Sequence, residues 1–224
     1  MRRVCIFLFC LFPVLVAHGQ LSGEDVLKKV EEHSRGVEDY IVQLDVTVDL
    51  ERLKVPSMKV KMYFKQPDKV HYESGSFALL PKESIALNPS QLLERYTIEN
   101  TRQFSDSGRS YHELSLRPKR QNTASRGLTL TVDAERWVPV LLSSSLPDGR
   151  LMSAEFTHEQ VEGHWLPALL NVKFSSDAKD EDVEQPPTPT PQTRLPRKGS
   201  ITIRYSEYRL NTGLSDEVFE KKEE

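Results

Sequence analysis

The chain has 224 residues, 38% of them hydrophobic and 28% charged, which is enough apolar material for one large domain or two small ones. Its 30 basic residues against 33 acidic ones argue against a nucleic-acid binder that grips phosphate through an excess of positive charge. The only cysteines, Cys5 and Cys10, lie in the first ten residues, so the body of the chain can build neither a disulfide framework nor a thiolate metal site.

Residues 1–19 read as a secretory signal peptide. Arg2 and Arg3 supply the basic start, Val4 to Ala17 an apolar run broken only by Pro13, and Ala17 and Gly19 the small residues before a cut at Gln20. Cys10 sits inside the apolar run rather than after it, where a lipidated cysteine belongs. Cleavage removes both cysteines and two basic residues. The exported chain is then mildly acidic and must hold together by burial and sheet hydrogen bonds alone.

Ser22 with Asp25 resembles a capping box, and Val26, Leu27, Val30 and Val37 recur at helical spacing. This predicts an amphipathic helix from about Glu24 to Gly36, with the glycine as its stop. The period then falls to two. Val42, Leu44, Val46, Val48 and Leu50 alternate with polar residues, as do Met58, Val60, Met62 and Phe64, then Val70 and Tyr72 after the turn Gln66-Pro67-Asp68. One-sided strands with short connections predict an antiparallel meander, because parallel strands would be apolar on both faces.

Phe77 to Leu93 is apolar without that period and predicts one or two short helices packed across the sheet. Strand patterns resume at Tyr96 and Ile98, at His112 to Leu116, at Leu128 to Val132 and at Val138 to Leu142. Three more follow at Met152 to Phe156, Leu170 to Phe174 and Ile201 to Tyr205, making about ten strands in all. Pro147-Asp148-Gly149 marks a hairpin turn. Residues 175–198 carry five acidic residues and then five prolines, and read as a solvated, partly polyproline loop.

No His-Glu-x-x-His pair, Gly-x-Ser-x-Gly elbow or glycine-rich phosphate loop occurs. His112 shares the apolar register of Leu114 and Leu116, which fits a core histidine bonded to backbone better than a catalytic base. Arg117, Lys119, Arg120 and Arg126 form a cationic turn, with a docking patch for an acidic partner or lipid headgroups as the functional alternative.

Tyr63 to Val70, with its Lys65-Gln66-Pro67-Asp68-Lys69 turn, resembles the outer-membrane lipoprotein carrier family (LolA/LolB-like), chiefly its lipoprotein-sorting branch. So do Leu130 to Asp133 with Arg136 to Pro139, Val161 to Pro167, Ile203 to Asn211, and Gly213 to Phe219. The resemblance spans nearly the whole exported chain and implies an α+β fold. Its expected form is a single-domain, half-open antiparallel β-barrel over residues 20–219, with an N-terminal helix and a helical lid over the concave face. The 175–198 loop is an insertion in it, and residues 220–224 form a charged tail.

The implied function is that of a periplasmic, non-enzymatic carrier that shields acyl chains of a lipoprotein or lipid during transfer to the outer membrane. The expected cavity wall is Val46, Val48, Met58, Val60, Met62, Phe64 and Tyr72, and the expected lid Phe77, Leu79, Leu80, Leu92 and Leu93. No cofactor, metal or nucleic acid is implied. The expected partners of this monomer are membrane sorting components that load and unload it. A lipid- or partner-sensing module on the same fold is the alternative, though sensors usually carry a further domain and this chain ends five residues after Phe219.

Overall fold

The computed structural model describes residues 21–51, 53–54, 56–73, 89–120, 127–145, 150–176 and 198–220. The expected signal segment 1–19, the expected lid residues Phe77, Leu79 and Leu80, Arg126, the expected turn at 147–149, most of the expected loop at 175–198 and residues 221–224 lie outside that set.

Helix α1 (Gly23–Ser34) starts where its cap requires: the Ser22 hydroxyl oxygen accepts the Asp25 N–H at 3.1 Å and donates to the Asp25 carboxylate at 2.7 Å. Glu24 and Asp25 in the first turn and His33 in the last suit the helix dipole. The expected stop at Gly36 is not how the helix ends, since the cap falls on Arg35, still in right-handed geometry. Gly36 serves another purpose. The His164 ring lies over it, so that a Cβ there would overlap the His164 Cε1.

The strands are β1 (Asp39–Leu50), β2 (Leu53–Lys54), β3 (Met58–Lys65) and β4 (Lys69–Glu73), then, after helix α2 (Pro89–Arg95), β5 (Tyr96–Asp106) and β6 (Arg109–Pro118). β7 (Leu128–Asp133), β8 (Pro139–Ser145), β9 (Arg150–Val161), β10 (His164–Ser176) and β11 (Gly199–Leu210) complete the sheet, before a last turn of helix, α3 (Glu217–Glu220). All pair antiparallel in one open sheet, in the order β4-β3-β1-β11-β10-β9-β8-β7-β6-β5. This is the half-open barrel expected, with β4 and β5 as its edges. Bulges in the β1–β11, β9–β10 and β5–β6 ladders supply the local bends that curl such a sheet.

Two strand features differ from expectation. β2 pairs with β1 in a register one residue off that of β3, the break falling at Pro56, which has no N–H for the ladder. β5 runs eight residues beyond Ile98, through a polar stretch with no apolar alternation, because it is an edge strand largely exposed there, with Thr101 and Phe104 half-buried. Cross-strand pairs hold that stretch to β6: Arg102 with Glu113, Arg117 with Glu99, and Phe104 stacked on Tyr111.

The connection leaves β4 at one edge of the sheet and ends at β5 on the other. Its described part, α2, packs on α1 and on the core through Leu92 and Leu93.

Candidate functional site

The seven expected wall residues stand on one face of the sheet. Val46, Val60 and Met62 are fully buried, Val48 and Tyr72 are buried, and Met58 and Phe64 are half-buried against the same core. Their alignment follows from pairing: Val46 stands opposite Met58, Tyr40 opposite Phe64, and Met62 opposite Tyr72. The apolar face extends well beyond this flank. Leu114, Leu130, Phe156, Leu170 and Ile203, from β6, β7, β9, β10 and β11, belong to the same buried cluster. The sequence marked those positions as strand residues by their alternation, and that signal could have placed them in the wall. α1 lays Val26 and Leu27, both fully buried, onto the face. Of the expected lid, Leu92 and Leu93 are half-buried against this core.

The C-terminal end of α1 is tied into a polar knot built by three of the segments that carry the family resemblance. Gln66 donates from its side-chain amide to the Ser34 and Val37 carbonyls, at 3.0 and 3.1 Å, taking up acceptors that a helix end leaves open. Asn211 donates to the Gly36 carbonyl at 3.1 Å and accepts the Glu38 N–H at 2.8 Å. Lys65 donates to the Leu214 carbonyl and to Asp216, and Lys69 reaches the other Asp216 oxygen.

At its centre is Asp39, a residue no sequence motif marked. One carboxylate oxygen accepts the Thr212 N–H (2.7 Å) and hydroxyl (2.9 Å), the other the Gly213 and Leu214 N–H groups at 2.9 and 3.1 Å. Desolvation pushes the Asp39 pKa up, but these four bonds outweigh it and hold the carboxyl below its ordinary value.

The other two segments of the resemblance build the seam beneath α1. Buried Asp133 accepts the Glu135 and Arg136 N–H groups, both at 2.9 Å, and so holds a turn in which Trp137 takes a left-handed φ of 54°. That turn stacks Trp137 on His112 at 5.3 Å and places Arg136 4.3 Å from the centre of the Trp165 ring. Lys29 of α1 lies 4.9 Å from the centre of the Trp137 ring. The β9–β10 turn uses positive φ at Glu162 and Gly163, which brings His164 against Gly36. His33 of α1 lies close enough to His164 and to His158 of β9 to interact electrostatically with each. Burial, then Arg136, with His33 adding to them against the opposing pull of Asp133, brings the His158 pKa down to about 4. His33 is lowered by burial and by His164, and His112 by burial. His33, His112 and His158 are therefore neutral at neutral pH. The expected core position of His112 holds, yet its Nδ1 has no hydrogen-bond partner.

The cationic turn has structural work. Lys119 donates from its backbone to the Arg95 carbonyl (2.9 Å) and from its side chain to the Leu93 carbonyl (2.6 Å), capping α2, and Arg117 pairs with Glu99. At the end of the sheet away from the knot, a hollow of about 340 Å³ is lined by hydroxyl residues such as Thr129, Ser143, Ser144 and Ser153 together with Leu151 and Met152. Among the described residues, no three His, Asp, Glu or Cys side chains form a group that could hold a metal ion.

No protein-family model matches the chain, and no curated protein matches it. Solved structures do. A crystal structure described as an outer-membrane lipoprotein-sorting protein domain from Vibrio parahaemolyticus is similar at a TM-score of 0.58 and 14% identity, over 88% of this chain and 95% of that one. A LolA superfamily protein from Nitrosomonas europaea is similar at 0.57 and 13%, over 90% and 99%. At such identities the likeness is one of fold: the chain has the fold of the LolA superfamily.

Proposed function

We propose that this protein is a non-enzymatic carrier, exported to the periplasm, that takes an acyl chain of a lipoprotein or lipid onto its concave face and shields it on the way to the outer membrane. The observation that carries this reading is the form of the apolar face. It is drawn from the strands of both flanks of an open sheet, and its described cover is two helices, α1 and α2, rather than a second sheet. Burying an acyl chain gains about 0.8 kcal/mol per methylene, so a 14-carbon chain gains on the order of 10 kcal/mol and does not cross water unaided at a useful rate. A carrier must match that area without exceeding it, or release would fail. A helical cover that moves aside at a cost of a few kcal/mol provides the tuning.

In this reading Val46, Val48, Met58, Val60, Met62, Phe64 and Tyr72 form one wall of the guest site. Leu92 and Leu93, with Phe77, Leu79 and Leu80, form the lid. α1, fixed at its C-terminal end by the knot, moves with that end as its pivot, and Met58 and Met62 give the wall an adaptable lining. The LolA-superfamily fold supports the reading, and membrane sorting components are the expected partners. No helix among the described residues is long and apolar enough to cross a membrane.

Native mass spectrometry of the protein purified from a periplasmic extract tests the proposal. A one-to-one complex with a lipid or lipopeptide is expected. Bare protein that also fails to take up an added acyl lipid would contradict it.

A further inference from the structure

We infer that the concave face contains a built-in hydrogen-bond donor, the Tyr205 hydroxyl, which recognises the carbonyl of an ester- or amide-linked acyl chain and so distinguishes an acylated guest from a plain hydrocarbon. The inference rests on the carrier reading and names the chemistry its guest must bring.

Four tyrosines converge on the face: Tyr40 from β1, Tyr72 from β4, and Tyr205 and Tyr208 from β11. Tyr208 lies 5.5 Å from Tyr40 and 6.5 Å from Tyr205, ring centre to ring centre, and the Tyr40 and Tyr72 phenols are near enough to Tyr205 to oppose its ionisation. The Tyr208 hydroxyl is used within the fold, donating to the Pro167 carbonyl at 2.7 Å, where β10 bulges. The Tyr205 hydroxyl is not. Its side chain stands opposite Leu44 in the middle of the sheet, is 3% exposed, and its oxygen has no hydrogen-bond partner.

A buried hydroxyl without a partner is a standing cost, and such groups are few in folded proteins. Phenylalanine would fill the same space without it. A guest that supplies an acceptor at this point relieves the cost, whereas an alkyl chain leaves it in place. The acceptor must itself tolerate burial, which excludes an ionised headgroup and favours a neutral carbonyl. Burial and the neighbouring tyrosines also push the Tyr205 phenol well above its ordinary pKa, so it remains a neutral donor at any working pH.

The test compares two soluble probes that differ only at the carbonyl: hexadecanoyl-glycerophosphocholine and its hexadecyl ether counterpart. Wild-type protein should bind the ester about tenfold more tightly, the worth of roughly one hydrogen bond. Tyr205→Phe should bind the two within twofold of each other, with its ether affinity and thermal midpoint no lower than wild type. Tyr208→Phe should keep the ester preference. Equal binding of both probes by wild type, or a preference retained in Tyr205→Phe, overturns the inference and leaves the carrier reading standing. Failure of wild type to bind either probe ends both.

Discussion

Replacing Asp39 with alanine should cost the folded protein about 3 kcal/mol, read as a lower urea midpoint at unchanged slope. A hydrogen bond to a charged group contributes roughly 1.5–3 kcal/mol, and Asp39 accepts four. They are not additive, and water can reach the exposed Thr212 and Gly213 once the carboxylate is gone, which keeps the loss below the simple sum. Asp39→Asn retains one acceptor oxygen and should recover part of it.

The effect should also depend on pH. The Asp39 pKa is lowered on folding, so its contribution is present above the unfolded value of about 3.9 and disappears as pH falls through the folded one. The two proteins should therefore converge in stability at strong acid. A variant as stable as wild type at pH 7 would show that the knot does not hold the end of α1.

Acidification alone is the second large effect. His158 titrates at about 4 in the folded protein and near 6.5 when unfolded, so the unfolded chain binds the extra proton first and stability falls as pH drops from 6.5 towards 4. The full shift corresponds to roughly 3 kcal/mol, somewhat less because the ring is not wholly buried. His33 and His112 are lowered as well and act in the same direction, and at His158 itself Arg136 reinforces the effect of burial while Asp133 opposes it.

Wild type should thus lose about 2–3 kcal/mol between pH 7 and pH 4.5, in a window where most carboxylates remain ionised. His158→Leu should lose distinctly less. Because these rings line the seam under α1, its amides should lose hydrogen-exchange protection before those of the sheet. A flat profile in wild type, or an identical slope in the variant, would contradict the seam as described.

The pattern of what could be read from sequence follows the range of the forces involved. β1, β3 and β6 to β11 announced themselves because one face is buried and the other wet, which writes a period of two into the chain. α1 was equally plain from its cap and its apolar stripe. The far half of β5 left no such trace, since a largely exposed edge strand needs few apolar residues. Asp39 was invisible for a different reason: its partners lie more than 170 residues away, and no local pattern encodes a bond of that span. The segments around Lys65-Gln66-Pro67-Asp68-Lys69 and Gly213 to Phe219 carried the resemblance separately, and only the fold shows them clasped on one helix end. Gly36 was read as a helix stop when its true neighbour is His164. Tyr205 was read by its ring, as a residue of an apolar face. That its hydroxyl lacks a partner becomes visible only when every neighbour is in place.

Everything functional depends on a guest lying between the concave face and its helical cover. A hexadecanoyl lipid carrying a photoreactive diazirine in its chain, irradiated with the protein and mapped by mass spectrometry, examines that directly. Attachment should fall on the inward positions of the sheet, such as Val46, Val60, Met62 and Leu130, and on Leu27 or Leu93 of the cover. Attachment confined to the outward positions of those strands, such as Lys59, Lys61 and Thr129, would contradict it, as would the absence of any saturable attachment.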